Sequence, residues 1–386
     1  MKVASLETTI VSVPYRHRES STRVQRDGVT DVIVKLTTDD GLVGWGESCS
    51  GADASSVEKA VQAAAPFVIG RDPWQTDAIY CDFFKLGLWD FRPMTGCFAF
   101  AGIDMALWDI CGKACGQPIY KLFGGAMRSE VDYFYYMAQG SVESIRQQCQ
   151  DGVAKGYTCF YIKAGLDLRA ESEMLAAMRE TIGPEGKIRI DTNEAWSVAE
   201  AVRILNDWNE RFGIDFCEAP VPIDPVDNMA EVRRQVPIAL CANEGLWRPA
   251  DVMRVIKSRC ADFLCFSTYW VGSLRRLHML SHMAHLEGIG VCKHTHGELG
   301  LAEAAGQHIM LSIPNAIDGH QQTAYMMEDD ILTDSLPIAE GPTWGRIEKP
   351  GLGVEVDEEK LAKYHEEYVR EGQFLPYQPS QIRKDL

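Results

Sequence analysis

What most constrains this chain is a regular beat of polar residues closing short apolar runs. Lys163, Asp191, Glu218, Glu244, Ser267 and His294 each end a β-rich run, and the steps between them are 28, 27, 26, 23 and 27 residues. A step of that size holds one strand and one amphipathic crossover helix, as in "TCFYIK" followed by "RAESEMLAAMRETIG". With a run near 131–137 before them and another near 316–320 after them, eight units can be counted. Eight units predict an α/β fold of the closed (β/α)8, TIM-type, barrel rather than an open doubly wound sheet. No G-x-G-x-x-G or P-loop supports the open sheet.

The flanks read differently. "MKVASLETTIVSVPY" and "TDVIVKLTTDDGLVGWGES" alternate as antiparallel strands with a turn at "TTDDG", and helix-like segments follow near 55–68, 73–86 and 97–115. After about residue 325 the text is rich in Gly and Pro and ends in a charged helix, "EEKLAKYHEEYVREG". The predicted organisation is an α+β capping domain over 1–125, a catalytic barrel over 126–325, and a C-terminal segment, 326–386, packing back on both.

Composition narrows the partners. A net charge of −17 argues against nucleic acid, which needs a basic surface. The twelve cysteines include no C-x-x-C pair and read as reduced, mostly buried thiols; Cys111 and Cys115 are expected in the core of an apolar helix. The N-terminus lacks a signal peptide's apolar block, and no run approaches the roughly 18–20 apolar residues of a membrane span. A soluble, cytoplasmic protein is expected.

Active sites of such barrels lie at the C-terminal ends of the strands. Asp191, Glu218 and Glu244 end three successive runs. Carboxylates brought so close repel one another, and a hard divalent cation such as Mg²⁺ relieves that. Lys163, one strand earlier, is placed to act as a base, its ammonium form disfavoured beside a cation. Tyr161 shares its face of the strand. On the far side "GVCKHTHGE" presents His294 and His296, and the former is expected in an acid/base role. His278, His282 and His285 have helical spacing and are read as packing and surface residues.

Taken together these residues resemble the enolase superfamily, in its mandelate racemase and muconate-lactonizing subgroups. "GLVGWGES" resembles a capping-domain strand, and "AFAGIDMALWDICGKACGQPIYKLFGG" the helix that enters the barrel. "DTNEAWS", "FCEAPV" and "PIALCANEGL" resemble the three metal-ligand segments, and "KPGLGVEVDEEKL" the closing segment. The resemblance implies Mg²⁺ held by Asp191, Glu218 and Glu244, removal of the proton α to a carboxylate, an enediolate, and a homo-oligomer. Two departures stand out. The pattern's lysine-x-lysine is Tyr161-Ile162-Lys163 here, and Ser267 occupies the position of the aspartate that pairs with the histidine. Tyr161 is left as a hydrogen-bond donor or an acid.

That asymmetry favours elimination, with Lys163 taking the α-proton and His294 protonating the departing hydroxyl. The expected reaction is dehydration of a sugar acid or related hydroxy acid to a 2-keto acid. A racemase, epimerase or cycloisomerase is the alternative, and a metal-binding relative without catalysis a third. The loop "PYRHRESSTRVQR", with Arg16, His17, Arg18, Arg23 and Arg26, is expected to steer an anionic substrate. The substrate-binding set is Asn193, His296, His320 of "DGHQQT", Arg16 and His17.

Overall fold

The computed structural model describes residues 1–21, 24–49, 53–87 and 94–377. Arg23 lies outside them, as does the end of the C-terminal segment.

Strands β1 (Val3–Ser20), β2 (Gln25–Thr38) and β3 (Val43–Cys49) form an antiparallel sheet in that order. Helices Ala54–Ala63, Thr76–Leu86 and Met94–Cys115 follow. The glycines of "GLVGWGES" serve close packing: a Cβ on Gly46 would lie 1.9 Å from the carbonyl oxygen of Gly102, so β3 and helix Met94–Cys115 touch backbone to backbone. By length and composition that helix could cross a membrane, which corrects the expectation that no run approaches a span. Its apolar window is 89% buried within the fold, so here it is a core helix. Cys111 packs inside it, whereas Cys115 is exposed at its end, correcting the core expectation for that residue. All twelve cysteines are free, and only Cys81 and Cys115 are exposed.

The run near 131–137 splits in two. Strand β4 (Glu130–Asp132) pairs with the late strand Thr343–Gly345, and β5 (Tyr135–Met137) enters the main sheet. That sheet continues through β6 (Cys159–Lys163), β7 (Lys187–Asp191), β8 (Ile214–Glu218), β9 (Ala239–Ala242), β10 (Phe263–Phe266) and β11 (Gly290–Lys293). Its seven strands are parallel and neighbour one another in chain order, as crossover helices require.

The predicted eighth strand near 316–320 is not a regular one. The segment nevertheless bonds both sheet edges: the amide of Ile317 donates to Val291 and that of Gln321 to Lys293, while Phe134 donates to His320 and His320 to Asp132. The irregularity has a visible cause. The buried guanidinium of Arg189 draws the carbonyls of Asp318 and Gly319 to itself, both at 2.7 Å, and takes them out of any ladder.

The cap is tied to the barrel by hydrogen bonds at a helix end, although burial raises the pKa of the carboxyl that accepts them. Glu47 of β3 accepts the amides of Leu299, at 2.7 Å, and Ala302, at 3.0 Å, in the first turn of helix Gly300–Ser312. A carboxylate there meets unsatisfied amides and the positive end of the helix dipole. The C-terminal helix Glu358–Glu371 returns to β1, where His365 bonds the Ile10 carbonyl at 2.8 Å.

Candidate active site

The strand ends bring the expected chemistry together. Lys163, Asp191 and Glu218 are the last residues of β6, β7 and β8, and they are paired in register. Glu244, Ser267 and His294 lie one or two residues beyond their strands. Three of the four non-glycine residues with positive φ among the described residues, Asn193, Glu194 and Ala219, follow β7 and β8 directly. Such backbone is costly and is held by its surroundings, here at the strands that carry Asp191 and Glu218.

Asp191 is the hub. Its Oδ2 accepts the Tyr161 hydroxyl at 2.7 Å and the Lys163 ammonium at 2.5 Å, and its Oδ1 accepts the Asn193 amide at 2.8 Å. Asn193 Nδ2 also reaches Glu244 Oε1 at 2.8 Å. Gln321 Nε2 donates to Glu218 Oε2 at 2.5 Å. Burial and the charge of Asp191 push Glu218 well above the usual carboxylate range and Glu244 to about 7. Burial works against a charged Lys163, yet Asp191, Glu218 and Glu19 outweigh it and raise the ammonium's pKa. The partly neutral lysine expected from sequence therefore does not arise from the protein groups alone, because three carboxylates face it. Tyr161 is buried beside Asp191 and Glu218 and its pKa is raised, so it is a phenol donor.

The carboxylates fit a hard cation. Glu218 Oε1 and Glu244 Oε2 are buried with no hydrogen-bond partner, an arrangement that a cation would satisfy. Tighter donor clusters, within 4.8 Å, occur at Glu218–Cys241–Cys265 and at Asp31–Glu47–Cys49. The thiols in these suit softer ions, whereas the oxygen donors of Asp191, Glu218 and Glu244 suit Mg²⁺.

Across the mouth, His294 is buried, with Nδ1 2.8 Å from the hydroxyl of Tyr269. Ser267 does not engage the ring; its hydroxyl bonds the His294 carbonyl at 3.1 Å. Burial and the neighbours His296, Lys163, Lys293 and Arg26 hold the His294 pKa well below the usual histidine value. His296 is likewise lowered, to about 4, and its Nε2 is buried without a partner. His320 stands in the barrel wall, where Nδ1 accepts the Lys293 amide at 2.8 Å. Arg16 and His17 are exposed and line a cleft of about 520 Å³ with Tyr136, Gln139, Lys155 and Tyr325. Gln139 Nε2 donates to the Lys163 carbonyl at 2.7 Å, which ties one wall of this cleft to the end of β6, although Lys163, Asp191, Glu218, Glu244 and His294 do not line it. His278, His282 and His285 sit on the outer helix Leu274–Leu286, as expected.

Three participants, Tyr269, Gln321 and Glu19, were not singled out in the sequence. Tyr269 lies in a short helical turn, Thr268–Val271, where strand alternation carries no signal. Gln321 was visible only as part of a polar stretch. Glu19 and Arg26, an ion pair at 2.7 Å, are both buried, and Arg26 Nη2 donates to the His296 carbonyl at 2.8 Å. Arg26, expected in a loop that steers an anionic substrate, is instead buried in an ion pair and bonds the barrel, because Glu19 on the adjacent strand claims its charge.

Comparison with known proteins agrees with this architecture. Residues 5–124 match the family described as mandelate racemase / muconate lactonizing enzyme, N-terminal domain, and residues 144–360 match enolase C-terminal domain-like. The chain is 26% identical to N-succinyl-L-Arg/Lys racemase of Bacillus cereus, covering 94% of this chain and 97% of the relative. It is 27% identical to D-galactarolactone cycloisomerase of Agrobacterium fabrum, covering 94% and 99%. A crystal structure of an enolase from Streptomyces coelicolor, 28% identical, superposes with a TM-score of 0.87 over 96% of this chain and 99% of that one. Other relatives include an epimerase and a dehydratase, so an enolase-type reaction is common ground. The chain belongs to the enolase superfamily, in its mandelate racemase / muconate-lactonizing group.

Proposed function

We propose that this protein removes the proton α to the carboxylate of a small hydroxy acid and eliminates a β-hydroxyl, giving a 2-keto acid. A sugar acid is the favoured substrate class. The carrying observation is the unlike chemistry of the two sides. Lys163 is bonded to a carboxylate, Asp191, while His294 is bonded only to a phenol, Tyr269. An enzyme that racemises with two bases wants comparable bases on both faces, and elimination wants a base and a donor.

In this reading Asp191, Glu218 and Glu244 hold Mg²⁺, which when bound supplies positive charge to stabilise the substrate carboxylate as it gains electron density. Lys163 takes the α-proton, and Tyr161 donates a hydrogen bond beside it. His294, kept neutral by its lowered pKa and so not the protonated acid expected from sequence, hydrogen-bonds the departing hydroxyl, which leaves as water with a proton drawn from solvent. Asn193, His296 and His320 belong to the polar wall, and Arg16 and His17 draw the anion into the cleft. The division into a cap (1–125), a barrel (126–325) and a returning segment (326–386), a homo-oligomeric state and a cytoplasmic location complete the reading.

Incubation with Mg²⁺ and a panel of sugar acids, read by a 2-keto acid assay and by α-proton exchange in D₂O, tests it. Keto acid formation is expected. Exchange without keto acid would replace dehydration by racemisation, epimerisation or cycloisomerisation, the reactions that several relatives' names describe.

A further inference from the structure

We infer that Tyr269 is a positioning residue that locks His294 in its Nε2–H tautomer, so that the imidazole meets the substrate as a hydrogen-bond donor with no lone pair to accept an α-proton. The inference rests on the placement of His294 in the site proposed above and deepens it.

The phenol is taken as donor at the shortest of its contacts. A phenol has one proton to give, and three groups that can accept are near the Tyr269 oxygen: His294 Nδ1 at 2.8 Å, the His294 carbonyl at 3.4 Å and the Ser267 hydroxyl, which bonds the phenol as a donor. The carbonyl is already served by the Ser267 hydroxyl at 3.1 Å and the Lys293 ammonium at 3.4 Å. The phenol proton therefore goes to Nδ1, at the shorter distance. An imidazole that accepts at Nδ1 and stays neutral carries its own proton on Nε2. Neutrality is favoured by burial and by His296, Lys163, Lys293 and Arg26, which disfavour a positive charge on the ring. Among the described residues Nε2 makes no hydrogen bond, so this N–H is left for a ligand.

The phenol is held for the task. Tyr269 is 1% exposed and lies in the turn Thr268–Val271, closed by Gly272 in the left-handed region. Phe98 of the capping helix stacks on its ring at 5.8 Å, and Trp270 packs against the His294 ring at 4.7 Å. The cap thus takes part in fixing the tautomer. The position that holds a carboxylate in the family pattern has passed to a serine turned to the backbone, and the ring partner has moved two residues on. A carboxylate accepts from Nδ1–H and leaves Nε2 basic, whereas this phenol donates to Nδ1 and leaves Nε2–H as a hydrogen-bond donor with no lone pair. The difference removes the second base that two-base racemisation needs.

The test needs no substrate, so its outcome is separable from that of the proposed reaction. Protein labelled with ¹⁵N at histidine, Mg²⁺-loaded and near neutral pH, is examined by long-range ¹H–¹⁵N spectroscopy, with His294 assigned by its loss in His294→Asn. The expected pattern is an unprotonated Nδ1 and a protonated Nε2, replaced in Tyr269→Phe by a tautomer-averaged pair. A protonated Nδ1 in the wild type, or an unchanged pattern in a folded Tyr269→Phe, overturns the inference. Should that variant fail to fold, neutron diffraction from wild-type crystals decides it: a deuteron on the phenol aimed at Nδ1 supports the lock, and a deuteron on Nδ1 refutes it.

Discussion

Tyr161 and Lys163 donate to the same oxygen, Oδ2 of Asp191, at 2.7 and 2.5 Å. They are two apart on β6, one strand from Asp191 on β7, so strand periodicity delivers both to one acceptor. The lysine-x-lysine pattern would place two cations there. Here one cation and one neutral donor share the carboxylate, and Lys163 keeps a raised pKa.

Lys163→Ala should lower α-proton exchange by about 10³-fold, the scale of a lost general base. Tyr161→Phe should lower it only about tenfold, the scale of one hydrogen bond. Both are read by the loss of the α-proton signal in D₂O with whichever acid proves active. Exchange near the wild-type rate in Lys163→Ala would move the base elsewhere.

Metal and pH should be linked through Glu244. Its folded pKa, about 7, lies above the usual carboxylate value, so the folded metal-free protein binds this proton more tightly than the unfolded chain. That contribution is complete below about pH 4.3 and is lost as pH rises through 7, on the order of 3 kcal/mol in all. In EDTA, the unfolding free energy should therefore fall by about that much between pH 5 and 8, with Tm falling alongside it, and Mg²⁺ should flatten the curve, as should Glu244→Gln. Parallel curves with and without Mg²⁺ would separate the cation from these carboxylates.

Gln321→Leu should weaken the cation by about 10- to 100-fold, the usual effect of removing a partner that orients a ligand. Its amide is the donor that holds Glu218 Oε2. Titration calorimetry with Mg²⁺ or Mn²⁺ reads the loss.

Arg26→Met should destabilise the fold by about 3–5 kcal/mol, because it leaves Glu19 buried and unpaired. Adding Glu19→Leu should recover most of that loss, since the pair's desolvation is then removed as well. Urea unfolding of the single and double variants measures both.

Much of the site was legible because a barrel strand end is a position that sequence can mark. An apolar run followed by one polar residue, repeated at a steady step, located Lys163, Asp191, Glu218, Glu244 and His294. The eighth unit read as a strand because its apolar run is short and conventional; Arg189, far away in sequence, draws its carbonyls aside. Cys115 read as core because it shares a helical stripe with Cys111, yet the helix ends there and exposes it.

By itself the sequence determined the alternation of strands and helices from β5 to β11, the strand-end positions of the three carboxylates, and the two departures at Tyr161 and Ser267. These follow from periodicity and residue type, which are local. Only the tertiary structure decided which groups meet: Gln321 with Glu218, Glu19 with Arg26 above the mouth, and Tyr269 with His294. The reason is physical. A hydrogen bond at 2.8 Å depends on the direction of two side chains brought together by packing, and the backbone turn that aims Tyr269 at His294 leaves no period in the text.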